Sequence, residues 1–121
     1  NYNTTITSTY FRSTHDESGS NGAVAYQASQ DQGNGTSFQN ISQNIGTDND
    51  QSGAGILHLF DPSSTFVKHF LARSNNAHQS DKTRDVFTGG YFNTTSAINA
   101  IQFKMSSGNI DSGVIKMYGV T

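Results

Sequence analysis

Apolar residues in this chain recur at every second position, in runs too short for a helix, and Gly, Asn, Ser or Asp separates the runs. Successive side chains of a strand point to opposite faces, so the pattern builds a sheet with one face buried. In Thr65 to Arg73, Phe66, Lys68, Phe70 and Ala72 oppose Val67, His69, Leu71 and Arg73. Ala97 to Met105 sets Ile101, Phe103 and Met105 against Ile98, Gln102 and Lys104, and Gly113 to Val120 sets Ile115 and Met117 against Val114, Lys116 and Tyr118. Asn3 to Arg12 carries Ile6, Ser8 and Tyr10 on one face and Thr7, Thr9 and Phe11 on the other. Ala23 to Ala28, Ser37 to Ile45, Ile56 to Phe60 and Asp85 to Phe92 complete about eight short strands, with Gly89-Gly90 reading as a bulge or bend. Thr14 to Gly22, Gln30 to Gly35, Gly46 to Gly55 and Asn75 to Arg84 read as loops, and Asp61-Pro62-Ser63-Ser64 as a turn. No run joins a 3.6-residue period to a helix cap. The spacing predicts one all-β domain over residues 1–121, an antiparallel β-sandwich of jelly-roll type.

Composition narrows the function classes. Asn, Gln, Ser and Thr supply 49 of the 121 residues, while charged residues are only 13% and the net charge is −2. Solubility therefore rests on uncharged amides and hydroxyls. Seven scattered Lys and Arg leave no electrostatic footprint for nucleic acid or an anionic membrane. No apolar run approaches the roughly 18 residues of a membrane helix. With no cysteine, the chain has no disulfide, no thiol chemistry and no cysteine-based zinc site. The polar start at Asn1 holds no signal peptide and reads as the beginning of a processed or partial chain. This composition suits an extracellular or virion surface.

Residues that could carry chemistry have ordinary structural explanations beside them. His15, His58, His69 and His78 are accompanied by many serines, but no serine lies in a Gly-x-Ser-x-Gly elbow. Glycoside hydrolysis needs two carboxylates across a bond; the single glutamate, Glu17, sits beside Asp16 in a loop, and Asp81 and Asp85 flank Lys82 and Arg84. No catalytic residue and no cofactor site is assigned. Asp48-Asn49-Asp50-Gln51-Ser52-Gly53 resembles the start of a calcium loop, with Asp48, Asp50 and Ser52 as alternating oxygen ligands, but Leu59 stands where the closing glutamate would be. Sequons at Asn3, Asn34, Asn40 and Asn93 are no more frequent than chance gives. Tyr2, Tyr10, Tyr26, Tyr91 and Tyr118, with the polar loop Asn75, Asn76, His78 and Gln79, could contact a glycan.

Tyr91 to Ile98, Ile101 to Gly113 and Ile115 to Val120 read YFNTTSAI, IQFKMSSGNIDSG and IKMYGV. This ending resembles that of a β-sandwich module in virion proteins of tailed bacteriophages, aquatic phages above all, in tail-fibre-like and small stand-alone proteins. Thr9 to Arg12 and Leu57 to Asp61 resemble parts of the same module. The resemblance implies a jelly-roll-like domain without catalysis, assembled on a phage particle. In that ending Phe103, Gly108, Asn109, Gly113, Ile115 and Tyr118 specify the fold, as a hairpin pairing Ile101, Phe103 and Met105 with Ile115 and Met117. The expected function is a structural virion component, either a capsid decoration protein or a fibre-tip appendage. Its expected partners are other capsid or tail proteins and further copies of itself, as a homotrimer. The alternative is a lectin-like module that binds host-surface glycan.

Overall fold

The computed structural model describes residues 2–120. Five antiparallel strands form one sheet: β1 (Ile6–Asp16), β2 (Gly22–Tyr26), β3 (Gly53–Leu59), β4 (Lys68–His78) and β5 (Lys82–Phe92). The order across the sheet is β2-β1-β5-β4-β3, so the first and last strands meet in the middle. The all-β, antiparallel expectation holds. A second sheet does not form among the described residues, and the strand count is five rather than eight.

The sheet has one covered and one open face. The covered face carries Ile6, Ser8 and Tyr10 from β1, Lys68, Phe70, Ala72, Asn76 and His78 from β4, and Arg84, Val86 and Thr88 from β5, all buried. What covers it is the connection from β2 to β3, whose ends lie at opposite edges of the sheet, so that this segment must cross the whole face. It first follows the free half of β1, where Gln27 N–H donates to the Tyr10 carbonyl (2.9 Å), Ser8 N–H to Gln32 (2.9 Å) and Ile6 N–H to Gly35 (2.8 Å). It then crosses. Ser8 Oγ bonds Gln39 Oε1 at 2.6 Å, Ser74 Oγ donates to the Ile41 carbonyl at 2.6 Å, and Arg84 Nη1 donates to the Gln43 carbonyl at 3.2 Å and to Gln43 Oε1 at 3.1 Å. Irregular backbone cannot satisfy its own polar groups, so the sheet beneath it must supply donors and acceptors. This accounts for the polar side chains on the buried face.

Several strand boundaries move accordingly. Ser37 to Ile45 is not a strand but the middle of this covering segment, in which Ile41 and Ile45 are half-buried and Ile45 makes an isolated bridge to His78. Asn75 to Arg84 is not one loop, because β4 runs on to His78 and β5 starts at Lys82. Likewise β1 extends into the expected Thr14–Gly22 loop as far as Asp16, and β3 begins at Gly53, inside the expected Gly46–Gly55 loop. Asp16 closes the β1–β2 turn: Oδ1 accepts from the Ser20 and Asn21 amides (2.9 and 3.2 Å) and Oδ2 from Asn21 Nδ2 (2.7 Å). The Asn21 side-chain bond leads in holding this carboxyl far below the usual aspartate range.

Gly89-Gly90 makes neither bulge nor bend; the register runs unbroken, with Gly90 opposite Ser8 on one side and Phe70 on the other. Gly90 is required by close approach, since a Cβ there would come within 2.8 Å of the Ser8 Cα. The C-terminal hairpin is also absent. Ile101, Phe103 and Met105 do not pair with Ile115 and Met117, and residues 99–120 contain no strand. Gly108 and Gly113 in this segment have φ of +70° and +156°. The sheet lacks any site for these strands on the covered side, which the β2–β3 connection already occupies.

His78 adds a pH dependence to the covered face. Its Nδ1 accepts the Ser80 N–H (3.0 Å), and its Nε2 lies 3.4 Å from the Asn44 side-chain nitrogen. Burial first, and then Arg84, Lys82 and Arg12, push its pKa below the ordinary histidine value. The unfolded imidazole takes up a proton near pH 6.5 while the folded one resists it, so unfolding binds the proton. Stability from this group is complete above about pH 6.5 and declines as pH falls below that value. Urea midpoints at pH 7.5 and 5.0 are expected to show the drop, and His78→Gln should shrink it.

Candidate interaction surface

The open face is built from the alternate residues of the same strands. Strand register lines up Tyr26, Phe11, Phe87, Arg73 and Ile56 directly across all five strands. Such directly opposed side chains are the contacts that stabilise a sheet face. The Phe11 and Phe87 rings stack at 4.8 Å between centroids with planes 4° apart, and the Arg73 guanidinium sits 4.8 Å above Phe87. Asp85 clamps that guanidinium through Nη2 (2.7 Å) and Nε (3.3 Å), and this pairing raises the Arg73 pKa. An exposed ion pair adds little stability. Its clearer consequence is to hold the guanidinium over the ring.

Beside this row, Leu71 leans over Gly89, and His69 meets the Tyr91 ring edge-on at 6.0 Å. Val24, Tyr26, Ile56 and Leu71 are exposed, Val24 at 76%. A soluble monomer rarely leaves a contiguous band of this kind open. Tyr26 also bonds Asp31 through its hydroxyl. Tyr26 and Tyr91 are among the tyrosines that the sequence offers for glycan contact, and Phe11 is placed there only on the strand face opposite Tyr10. Phe87 and Arg73 were not singled out as interaction residues, because only the cross-strand register shows that they stand side by side.

The second exposed apolar region is the C-terminal segment. It leaves β5 at the edge where Asn93 N–H donates to the Thr5 carbonyl (2.9 Å) and Lys68 Nζ to the Thr94 carbonyl (2.9 Å). Lys68 is 0% exposed, so its stem fills the covered face while its ammonium ends on this carbonyl. Ile98 N–H then donates to the Pro62 carbonyl (2.8 Å), and the Lys104 ammonium lies 4.2 Å from the ring centroid of Phe38, a residue of the covering segment. Beyond those contacts the segment stands exposed. Ile101, Phe103, Met105, Ile110, Val114, Ile115, Met117, Tyr118 and Val120 all face solvent, Met117 at 93%.

The other residues considered from the sequence are dispersed. Asp48 and Asp50 line a cleft of about 260 Å³ with Glu17, His78, Asp81 and Lys82, while the Asp48 carbonyl accepts the Gln51 N–H in a tight turn. Among the described residues no three His, Cys, Asp or Glu side chains converge on a metal position. His58 and His69 lie on the open face of β3 and β4, His15 at the far end of β1, and His78 on the covered face. Tyr10 is buried and Tyr2 exposed. Among the described residues no helix is long and apolar enough to cross a membrane. Comparison of the chain with protein-family models, curated proteins and solved structures gives no match.

Proposed function

We propose that this chain is a structural module of a tailed-phage virion surface, a decoration or fibre-tip protein that works by contact with other protein rather than by catalysis. The observation that supports it is where the resemblance falls. Of the residues that resemble the phage ending, Tyr91 and Phe92 close β5, while Ile101 to Gly113 and Ile115 to Val120 lie outside the sheet and display their apolar side chains to solvent. Burial of such a segment needs other protein, which a particle surface supplies. The test is to raise antibodies to the recombinant chain and quantify it in purified particles of the phage that encodes it. Stoichiometric recovery with intact particles is expected, with hundreds of copies for a capsid lattice position and a few dozen or fewer for a fibre tip. Absence from particles, or turnover of a substrate by the pure chain, would overturn the proposal.

One observation favours a second reading. The flat row of Tyr26, Phe11 and Phe87, flanked by Arg73, Asp85 and Asn75, has the aromatic and hydrogen-bonding groups on which a sugar ring could stack. A glycan array separates the two: saturable binding lost in Tyr26→Ala supports a lectin-like module, and a blank array supports the structural role.

A further inference from the structure

We infer that the open sheet face of one copy is covered by the C-terminal segment, residues 99–120, of a second copy, which folds there as a hairpin and supplies the missing second layer of a sandwich. The inference deepens the structural reading above by naming the partner. It is tested in solution, so its failure leaves particle incorporation to be decided separately.

The surface area is the first argument. The chain exposes 8534 Å², whereas a compact monomer of its mass should expose about 6,300 Å². The excess, roughly 2,200 Å², is the size of a stable protein–protein interface. Most of the exposed large apolar side chains lie in two places, the open face and the C-terminal segment, so each copy carries both an arm and an acceptor.

Shape and chemistry match between them. Folded about Ser106–Ser112, the segment would put Ile101, Phe103, Met105, Ile115 and Met117 on one face and Gln102, Lys104, Val114, Lys116, Tyr118 and Val120 on the other. Strands of five residues are about 17 Å long, close to the roughly 19 Å width of five strands. Pairing the two arm strands with each other satisfies the backbone groups along their facing edges, which no strand ladder does in the single chain. The fit is also better between copies than within one. Ile98 and Lys104 anchor the arm at Pro62 and Phe38, and Phe38 belongs to the layer on the opposite side of the sheet from Phe11 and Leu71. Arm and acceptor are different surfaces, so the contacts close either as a two-fold dimer with reciprocal arm exchange or, heterologously, around a ring such as a trimer.

Complementation tests this directly. One variant lacks residues 99–121 but keeps the open face; the other keeps the arm and carries Ile56→Glu and Leu71→Lys, both at exposed positions. By sedimentation, the full chain is expected at a multiple of 13.0 kDa, each variant alone as a monomer, and their mixture as a 1:1 complex. Ile115→Asp with Met117→Asp in the full-length chain serves as a second armless variant should the truncation not fold. A monomeric full chain at high concentration overturns the inference. So does an armless variant that still self-associates, which would mean the faces pack on each other, or a face variant that does, which would mean the arms pair.

Discussion

Gly90→Val is expected to abolish folding, or to lower the melting temperature by about 10 °C or more, corresponding to a loss of about 3 kcal/mol or more. Gly90 lies in β5, with Ser8 of β1 and Phe70 of β4 as its partners on either side. A Cβ at this position would sit 2.8 Å from the Ser8 Cα and 2.9 Å from the Ser8 Cβ. The obstacle is backbone in the middle of a sheet, which cannot rotate away as a side chain would. Gly33→Ala is the control, since nothing lies within 4 Å of a Cβ there, and surface changes of that kind fall within about 0.5 kcal/mol. Thermal melts of the two variants decide the matter; a Gly90→Val curve overlying the control would show that β1 and β5 are not so closely joined.

The second large effect is at Tyr10. It is 0% exposed and lies opposite Thr88 on the covered face. Tyr10→Ala is expected to cost about 3–5 kcal/mol, because the covering segment is tied down at Ser8, Gln27 and Ser74 and cannot collapse into the space. Tyr10→Phe separates packing from polarity. The Tyr10 hydroxyl is buried without a hydrogen-bond partner, and burial raises its pKa, so it stays neutral. Removing an unpaired hydroxyl should leave stability unchanged or raise it by up to about 1 kcal/mol. Urea unfolding of the two variants gives both numbers, and a large loss in Tyr10→Phe would contradict the packing account.

The covered face also explains which parts of the fold could be read from the sequence. Phe70, Ala72 and Val86 follow the period-two pattern and lie in the strands where that pattern put them. Asn76, His78 and Arg84 lie on the same face of the same strands, yet their polarity made Asn75 to Arg84 resemble a loop. They are polar because what lies over them is irregular backbone that needs hydrogen-bond partners, and hydropathy cannot distinguish that need from exposure to water. The Ser37 to Ile45 segment misleads in the opposite sense: its Ile41 and Ile45 are half-buried apolar residues of the layer over the sheet, not of a strand within it.

The C-terminal segment shows a different limit. Ile101, Phe103, Met105, Ile115 and Met117 alternate as well as any strand in the chain, yet all are exposed. Alternation reports that a face is meant for burial; it does not say whether the burying surface belongs to the same molecule. The interaction surface was legible in part for a related reason. Tyr26 and Tyr91 stand out as aromatics, but the alignment of Phe11, Phe87 and Arg73 depends on β5 inserting between β1 and β4, a topology that no local pattern encodes.

Amide hydrogen exchange on the full chain, at a dilute and a concentrated condition, measures the central claim directly. Amides of β1, β4 and β5 should be protected at both concentrations, because their ladders lie inside one chain. Amides of Ile101–Met105 and Gly113–Val120 should exchange freely when dilute and become protected as copies associate. Protection of those amides in the dilute monomer, or free exchange at every concentration, would contradict it.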